Sequence, residues 1–305
     1  MSLPSRCPLC QAGPDHQGVV TPWVYGGAPG QAFFHCEACD VRYLFPPLTQ
    51  DEAMRFYAAE FSGFMEKRSG EGGGWDQPER HVRANQSQWE RRWRYLADHL
   101  PPQGRVLEIG CSSGFMLYPL EQKGLECLGV EPSGVFGAYV RARGLACYDD
   151  MDALVAAGAH EAGFDLIMHF FVLEHMVDPV AAIARQMAML RPGGRLVFEI
   201  PNCADALRTV YDLPAFERFY WSVAHNWYFS EDSTRHLLER LSPNVEILRD
   251  QRYDLSNHMV WARDGKPGGM GRFTPVWGEE VERQYREALI ASGHCDTLVA
   301  ILHKD

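Results

Sequence analysis

Short runs of β-branched and apolar residues alternate along the chain with longer segments in which apolar residues recur at helical spacing. Five such runs cover 106–109, 127–131, 145–148, 165–171 and 196–202. Buried strands separated by helices indicate parallel strands joined by right-handed crossovers. This pattern predicts an α/β fold with a doubly wound sheet.

The last third of the chain contains two further strand-like runs, 245–248 and 297–302, which bring the predicted sheet to seven strands. Between them lies an insertion, about 253–295, that includes Gly265, Gly268 and Gly269 and is expected to be rich in loops. Because loops beside strand ends often carry binding residues, we predict that this insertion covers the substrate.

Two helical segments precede the first strand of this sheet. One begins after Thr49, and the other is predicted as a single helix over 77–100 with Trp89, Trp93 and Leu96 in its apolar stripe. The glycine-rich stretch 69–74 between them is predicted to be a lid or a linker. The opposite face of the second helix is basic, which we interpret as a solvated face, with anion recognition as the alternative. Its arginines are Arg80, Arg83, Arg91, Arg92 and Arg94.

The run 106–109 leads into a turn framed by Gly110 and Gly114. A strand-to-helix turn directs backbone N–H groups at a ligand above the strand ends, and glycine lets that ligand approach the main chain. The next strand-like run ends in Glu131. A carboxylate at this place accepts hydrogen bonds from ribose hydroxyls in nucleotide-binding sheets, so the arrangement predicts a nucleoside site.

Together with Glu174, His175, Gly193 and Gly194, this region resembles the class I S-adenosylmethionine-dependent methyltransferases over about 105–202. The resemblance implies a Rossmann-like sheet of seven mostly parallel strands and S-adenosylmethionine as cofactor. Ser112 departs from the family pattern, because many members have glycine there. The residues that the resemblance assigns to cofactor binding are Glu108, Gly110, Cys111, Ser112, Gly114, Phe115, Glu131, Pro132, Ser133, Asp150, Met151 and His169.

The adenine contact is ambiguous in this sequence. In the family an acid with an apolar neighbour contacts the adenine, and here either Asp149 or Asp150 precedes Met151. A plain helix cap formed by Asp150 or Asp152 is an alternative for the same residues. The sequence leaves these possibilities open.

Methyl transfer to a hydroxyl needs a base, because an un-ionised oxygen is a poor nucleophile. Histidine suits this role, since its unperturbed pKa lies near neutrality. His175 is the first candidate, followed by His169, which is expected to face the same cleft from the strand end, then His225 and His258. Glu174 is expected either to orient a neighbouring imidazole or to cap a helix.

Composition and net charge limit the classes of molecule that this protein is expected to bind. The chain has 305 residues, and its hydrophobic content of 46% is ordinary for a globular protein. Its formal net charge of −11 has the wrong sign for binding along the phosphate backbone of a nucleic acid. No apolar run approaches the roughly 20 residues that span a bilayer, and the N-terminus lacks a signal-peptide pattern. We therefore predict a cytoplasmic enzyme that acts on a small-molecule substrate. Nucleic acid is an unlikely partner, and no membrane association is predicted. The sequence makes no prediction about the oligomeric state.

Four of the nine cysteines, Cys7, Cys10, Cys36 and Cys39, form two C-x2-C pairs. Four thiolates complete the tetrahedral shell of Zn²⁺ and leave no position for water, which predicts a structural zinc rather than a catalytic one. The flanking runs 23–25 and 33–35 are predicted to be strands of a zinc ribbon. The other five cysteines are interpreted as small packing residues.

These features predict a zinc ribbon over 1–48, a helical cap over 49–102 and a cofactor-binding core over 103–305. The favoured function is methyl transfer to an oxygen of a small polar metabolite. The arrangement of a zinc ribbon before this core also resembles that of bacterial sugar C-methyltransferases. Those enzymes have a further large C-terminal domain, which a chain of this length is expected to be too short to hold. The alternatives are RNA methylation, C- or N-methylation of a nucleotide sugar and, outside enzymes, a zinc-ribbon interaction module.

Overall fold

The computed structural model describes residues 3–60, 63, 64, 68 and 77–305, with side chains left undescribed at 54, 58 and 59. The stretch 69–74, predicted to be a lid or a linker, lies outside the described residues. Among the helices of the described part, none combines the length and apolarity needed to cross a bilayer.

The N-terminal part forms a small antiparallel sheet. Its strands are β1 (Gln17–Thr21), β2 (Ala32–Cys36) and β3 (Arg42–Phe45). The strand predicted at 23–25 is wrong, because this segment makes only a single bridge, between Tyr25 and Ser222. The strand instead lies just upstream, where Gln17, Gly18 and Val19 pair with β2.

The cap begins with α1 (Gln50–Arg55), which continues as a π-helical turn (Phe56–Glu60), and later contains α2 (Pro78–Ala84) and α3 (Gln86–Leu96). The prediction of a single helix over 77–100 is wrong, because the helix is interrupted at Asn85, which separates α2 from α3. The Asn85 side-chain amide donates a hydrogen bond of 2.8 Å to the carbonyl oxygen of His81. An amide that hydrogen-bonds to nearby backbone competes with helix continuation.

The remaining strands belong to the core of the protein. They are β4 (Arg105–Ile109), β5 (Glu126–Val130), β6 (Ala146–Tyr148), β7 (Phe164–Phe170), β8 (Leu190–Pro201), β9 (Trp227–Tyr228), β10 (Val245–Asp250) and β11 (Thr297–His303). All except β9 form one sheet in the order β10-β11-β8-β7-β4-β5-β6. Because β11 is antiparallel to both neighbours and the other pairings are parallel, the predicted seven-stranded, mostly parallel sheet is confirmed.

Both faces of this sheet are buried, which explains its continuous apolar strands. Leu107, Ile167 and Phe198 pack on one face, while Leu166 and Val197 pack on the other. The helices that follow α3 are α4 (Leu117–Glu121), α5 (Gly134–Ala142), α6 (Met151–Ala156), α7 (Pro179–Met189), α8 (Ala206–Thr209), α9 (Pro214–Tyr220), α10 (Glu231–Leu238), α11 (Leu255–Asp264), α12 (Thr274–Trp277) and α13 (Glu279–Ser292).

The insertion predicted to be loop-rich is largely helical, because it consists mainly of α11, α12 and α13. The buried carboxylate of Glu282 connects these helices. It accepts hydrogen bonds from the Leu255 N–H at 2.8 Å, the Thr274 hydroxyl at 3.0 Å and the Trp277 indole at 2.9 Å. Asp254 caps α11 through the Asn257 N–H, so Asp254 and Glu282 together satisfy two N–H groups at the start of α11.

The arginines of α3 do not form a simple solvated face. Arg91 and Arg92 are buried and pair with Glu199 of β8, at 2.6 Å and 3.0 Å. Burial alone would raise the pKa of Glu199, but the two guanidinium groups lower it to about 2. These ion pairs attach the cap to the central sheet.

The N-terminal sheet continues into the core, because β3 pairs antiparallel with β9 in the order β1-β2-β3-β9. Next to this pairing, the Leu44 N–H donates a hydrogen bond of 2.9 Å to the carbonyl oxygen of Asn226. The loop 222–226 before β9 is therefore held between the N-terminal sheet and the core.

Candidate functional site

The turn after β4 has the backbone geometry that the sequence predicts. Gly110 and Gly114 both have φ of +71°, and a Cβ at Gly110 would lie 2.7 Å from a methyl carbon of Val172. Ser112, which stands where many relatives have glycine, also adopts a positive φ of 46°. The turn therefore requires glycine at position 110 and accepts some backbone strain at Ser112.

Glu131 lies at the end of β5 and reaches back to this turn. Its carboxylate accepts hydrogen bonds of 2.8 Å from the backbone N–H groups of Ser112 and Ser133. Burial raises the pKa of Glu131, and the two N–H groups partly oppose that rise. A carboxylate has about four lone-pair positions, so two remain that can accept hydrogen bonds from a ribose.

Several other predicted cofactor residues have structural partners. Asp150 caps α6 by accepting hydrogen bonds from the N–H groups of Asp152 and Ala153, at 2.9 Å and 2.7 Å. Asp149 instead pairs with Arg141 at 3.1 Å. The helix cap considered in the sequence analysis is therefore present at Asp150, and Met151 follows it as the first helical residue.

The remaining predicted cofactor residues surround the turn at different depths. Glu108 and Cys111 are buried, Phe115 and Ser133 are half-buried, and Pro132 is exposed. Burial raises the pKa of Glu108 well above its usual range. The Cys111 thiol lies 3.9 Å from that of Cys147, inside the core. Among these residues, Phe115, Pro132 and Ser133 have exposed surface.

The sequence analysis did not single out His81 of α2. Its Nδ1 lies 2.9 Å from the Ser113 hydroxyl in the glycine turn, and its ring contacts Phe115 and Phe136. Burial and the nearby Arg92 lower the pKa of His81 to about 4, so the ring is neutral. The helix α2 therefore packs directly on the turn, a long-range contact for which the sequence carried no signal.

Glu174, His175 and His225 come together beyond the end of β7. One ligand atom from each residue lies within 4.8 Å of the others. Glu174 and His175 occupy a 3₁₀ turn, and the side-chain amide of Asn226 donates a hydrogen bond of 2.9 Å to the His175 carbonyl oxygen. The loop 222–226 thus brings the third member of the cluster to the other two.

The His175 ring is oriented by the same loop. Its Nδ1 lies 2.6 Å from the carbonyl oxygen of Ala224, and the Tyr57 hydroxyl lies 2.9 Å from that nitrogen. A carbonyl oxygen only accepts, so a proton on Nδ1 satisfies the Ala224 carbonyl, and the backbone carbonyl of Phe171 also interacts with the His175 ring. Burial lowers the pKa of His175 to about 4, with the Ala224 carbonyl opposing the shift. The geometry therefore holds a neutral imidazole in a fixed orientation.

The other two members of the cluster are also uncharged near neutral pH. Burial, His175 and Arg68 lower the pKa of His225 well below its usual range, and its ring centroid lies 4.9 Å from that of His175. Burial raises the pKa of Glu174 to about 8. Neither carboxylate oxygen of Glu174 has a hydrogen-bond partner among the described residues. The three groups could bind a divalent cation, although a protonated Glu174 is a weak ligand.

His169 does not face the cleft as expected. Its side chain is 0% exposed and its ring stacks on Phe198, with the centroids 4.7 Å apart. Burial lowers the pKa of His169 to about 3. Because side chains alternate between faces along a strand, His169 points into the core like Ile167. His258 is also buried, with Nδ1 2.6 Å from the Tyr285 hydroxyl.

Glu174 should make stability depend on pH. Its pKa rises from about 4.5 to about 8 on folding, so the folded protein binds more protons than the unfolded chain between these values. Stability is then lost as the pH rises through this window. We expect Glu174→Gln to be more stable than the parent by about 4–5 kcal/mol at pH 9 and by less than about 1 kcal/mol at pH 5.

Urea denaturation at the two pH values measures this difference. Glu121→Gln, which changes an exposed glutamate at the end of α4, is the matched control and should shift stability equally at both values. A Glu174→Gln variant whose advantage does not grow with pH would contradict a buried, protonated Glu174.

The four N-terminal cysteines form a compact cluster. The Cys7 and Cys39 sulfurs are 3.7 Å apart, and those of Cys10 and Cys36 are 3.6 Å apart. All four sulfurs lie within 4.8 Å of one another. In a tetrahedral site with Zn–S bonds of about 2.3 Å, the sulfurs are about 3.8 Å apart. The donor atoms therefore fit Zn²⁺, with no further ligand required.

A family profile described as a methyltransferase domain matches residues 80–242, more than half of the chain. The chain belongs to this family. The chain thus carries the domain of the S-adenosylmethionine-dependent methyltransferases, which confirms the predicted family. The methyltransferase domain accordingly includes the cap helices α2 and α3 as well as β4 to β8.

Relatives of this methyltransferase have different substrates. The ubiquinone biosynthesis O-methyltransferase of Rhizobium johnstonii is 35% identical over 100 residues, which are 31% of this chain and 39% of the relative. The tRNA U34 carboxymethyltransferase of Pseudoalteromonas translucida is 33% identical over 122 residues, 37% of this chain and 38% of the relative. The matched region thus spans about two fifths of each relative.

A crystal structure of a SAM-dependent methyltransferase from Archaeoglobus fulgidus superimposes with a TM-score of 0.48 and 19% identity. The superposition covers 80% of this chain and 100% of the other. The plantazolicin methyltransferase BpumL in complex with SAH is similar at a TM-score of 0.47 and 14% identity, covering 81% and 98%.

Proposed function

We propose that this methyltransferase methylates a hydroxyl group of a small polar metabolite, with His175 as the general base. The observation that carries the proposal is the anchored imidazole of His175, whose Nδ1 is hydrogen-bonded to Ala224. This ring belongs to the Glu174, His175 and His225 cluster at the carboxyl end of β7, the edge where ligands bind in doubly wound sheets. Methyl transfer to oxygen needs such a base.

For the cofactor, we propose that the turn from Gly110 to Gly114 holds the nucleoside and that Glu131 accepts hydrogen bonds from its ribose. S-Adenosylmethionine supplies an electrophilic methyl group on a sulfonium. The chain contributes alignment and proton removal. Phe115 directly follows the turn, Met151 is the first residue of α6, and His175 takes up the hydroxyl proton. His225, 4.9 Å from His175 between ring centroids, is the alternative base.

Glu174 has a positioning role in this scheme. In its protonated form it can donate one hydrogen bond, either to a neighbouring imidazole nitrogen or to the acceptor. A neutral carboxyl group avoids placing an uncompensated negative charge in the core. We therefore assign Glu174 to orientation rather than to proton abstraction.

RNA methylation is the second candidate function. The relative named as a tRNA U34 carboxymethyltransferase supports it, whereas the net charge of −11 opposes electrostatic attachment to RNA. The relative named as a ubiquinone biosynthesis O-methyltransferase supports a hydroxyl acceptor. We favour the small-molecule acceptor for both reasons.

Labelled cofactor tests the proposal. The enzyme would be incubated with S-adenosylmethionine carrying a trideuterated methyl group and, separately, with a pool of small hydroxylated metabolites or total RNA. We expect the label in a small product as a methyl ether. Label in RNA alone, or on nitrogen or carbon of a small product, would contradict O-methylation of a metabolite.

We also propose that zinc in the four-cysteine cluster is structural and that residues 1–48 are a zinc ribbon that supports the loop 222–226. A chelator should increase protease cleavage within 1–48, because that small sheet has little core of its own. Affinity for S-adenosylhomocysteine should stay unchanged, because the glycine turn lies in a separate sheet.

Zinc release, limited proteolysis and calorimetry measure these effects on one sample. Cys127→Ser, in β5, is the matched control and should keep its zinc. Complete loss of zinc without any change in protease sensitivity would contradict the structural role.

A further inference from the structure

Among the described residues, the guanidinium group of Arg252 has no ion-pair partner, and its charge acts on Glu174 of the proposed acceptor site. The residue is half-buried and follows β10 directly. Its guanidinium carbon lies 4.7 Å from the ring centroid of Phe171 and 5.1 Å from that of Tyr253. Its Nε is buried without a hydrogen-bond partner in the part of the chain that the structure describes. A half-buried cation whose buried Nε lacks a hydrogen-bond partner is better stabilised when a ligand supplies the counter-charge.

The backbone around Arg252 is held firmly. The buried carboxylate of Asp296 accepts hydrogen bonds from the N–H groups of Arg252 and Tyr253, at 2.9 Å and 2.8 Å. The Gln251 side chain donates a third, of 2.9 Å, to the same carboxylate. The rings of Phe171 and Tyr253 then restrict the guanidinium. Such an arrangement fixes the group in advance of binding, which lowers the entropy lost when a ligand binds.

This guanidinium borders the Glu174, His175 and His225 cluster. Phe171, against which it packs, precedes Glu174 by three positions in the segment after β7, and the charge of Arg252 acts on the Glu174 carboxyl. Arg68 approaches the same cluster. It packs over Phe219 at 4.2 Å, and its buried Nε likewise has no hydrogen-bond partner among the described residues.

We propose that Arg252 binds a carboxylate or phosphate of the methyl acceptor, so that the acceptor is an anionic hydroxyl compound. The planar guanidinium matches both groups with two parallel hydrogen bonds. A neutral acceptor would leave the charge of Arg252 uncompensated inside a protein whose net charge is −11. This inference rests on the proposed function, because it concerns the acceptor of the same transfer.

Calorimetry with protein saturated with S-adenosylhomocysteine tests the proposal. The probes are 4-hydroxybenzoate and glycerol 3-phosphate, each compared with its uncharged counterpart, 4-hydroxybenzyl alcohol or glycerol. We expect at least one charged probe to bind at least about tenfold more tightly than its counterpart, as a charge-assisted pair of hydrogen bonds would give. Which charged probe binds distinguishes a carboxylate from a phosphate.

Arg252→Gln should remove this preference, and Arg252→Lys should keep only part of it because lysine lacks the planar fork. Arg272→Gln, an exposed arginine of the same insertion, is the matched control. Equal behaviour of charged and uncharged probes, including no binding by any of them, overturns the proposal, as does an unchanged preference in Arg252→Gln. Loss of S-adenosylhomocysteine binding in Arg252→Gln also overturns it by assigning Arg252 to the cofactor. Failure of the parent enzyme to bind S-adenosylhomocysteine would instead defeat the proposed function.

Discussion

Replacing Glu131 with alanine is expected to weaken S-adenosylhomocysteine binding by about 100-fold or more while the fold survives. The carboxylate holds the N–H groups of Ser112 and Ser133 at 2.8 Å, and its remaining lone pairs are the proposed acceptors for the ribose. The alanine variant loses both functions. Because hydrogen bonds to a charged group contribute about 1.5–3 kcal/mol each, two ribose contacts account for the expected loss.

Calorimetry with S-adenosylhomocysteine measures this effect, and far-UV circular dichroism reports the fold. Glu126→Gln changes an exposed glutamate at the start of the same strand and should bind normally. Gly110→Arg should abolish binding by a different cause, because its side chain would clash with Val172 and occupy the space over the turn. Normal affinity in both Glu131→Ala and Gly110→Arg would remove the cofactor site from this turn.

His175→Ala is expected to lower kcat by about 10²–10⁴-fold, the usual contribution of a general base. Affinity for S-adenosylhomocysteine should change little, because the glycine turn does not depend on this side chain. His225→Ala separates the two candidate bases. A larger loss of kcat in His225→Ala than in His175→Ala would transfer the role to His225, and normal turnover in His175→Ala would eliminate His175 as the base.

The pH profile gives a second readout of the same role. A base whose pKa is about 4 is unprotonated above that value, so kcat should be constant at mildly acidic and neutral pH. It should fall only as the pH drops through about 4, where the imidazole takes up a proton. A fall in kcat centred near the ordinary histidine value would indicate that another histidine acts as the base.

The sheet and the glycine turn could be predicted from the sequence, because the sequence patterns that define them are local. Strands buried on both faces read as continuous apolar runs. The turn and Glu131 belong to one strand–helix–strand unit, so their relation is visible in a short stretch. The two C-x2-C pairs likewise predicted that the four N-terminal cysteines form a cluster. Each of these features depends on residue type and spacing rather than on distant partners.

The contacts inside the site were harder to predict from the sequence. His169 was expected in the cleft, but the alternation of β7 turns it onto Phe198. Arg92 looked like part of a solvated face, yet its partner Glu199 lies 107 positions later in the chain. His81 was missed because its contact with Ser113 exists only once α2 packs on the turn. Sequence spacing carries no information about contacts of this kind.

The amino-acid sequence by itself determined the fold class, the methyltransferase family and the position of the glycine turn after β4. Tertiary structure alone decided which histidine ring is anchored beyond the end of β7, how the N-terminal sheet reaches the loop 222–226 and where the side chain of Arg252 lies. The physical reason is range. Hydrophobic periodicity and glycine turns act over a few residues, whereas burial, ion pairing and tautomer selection depend on side chains that only folding brings together.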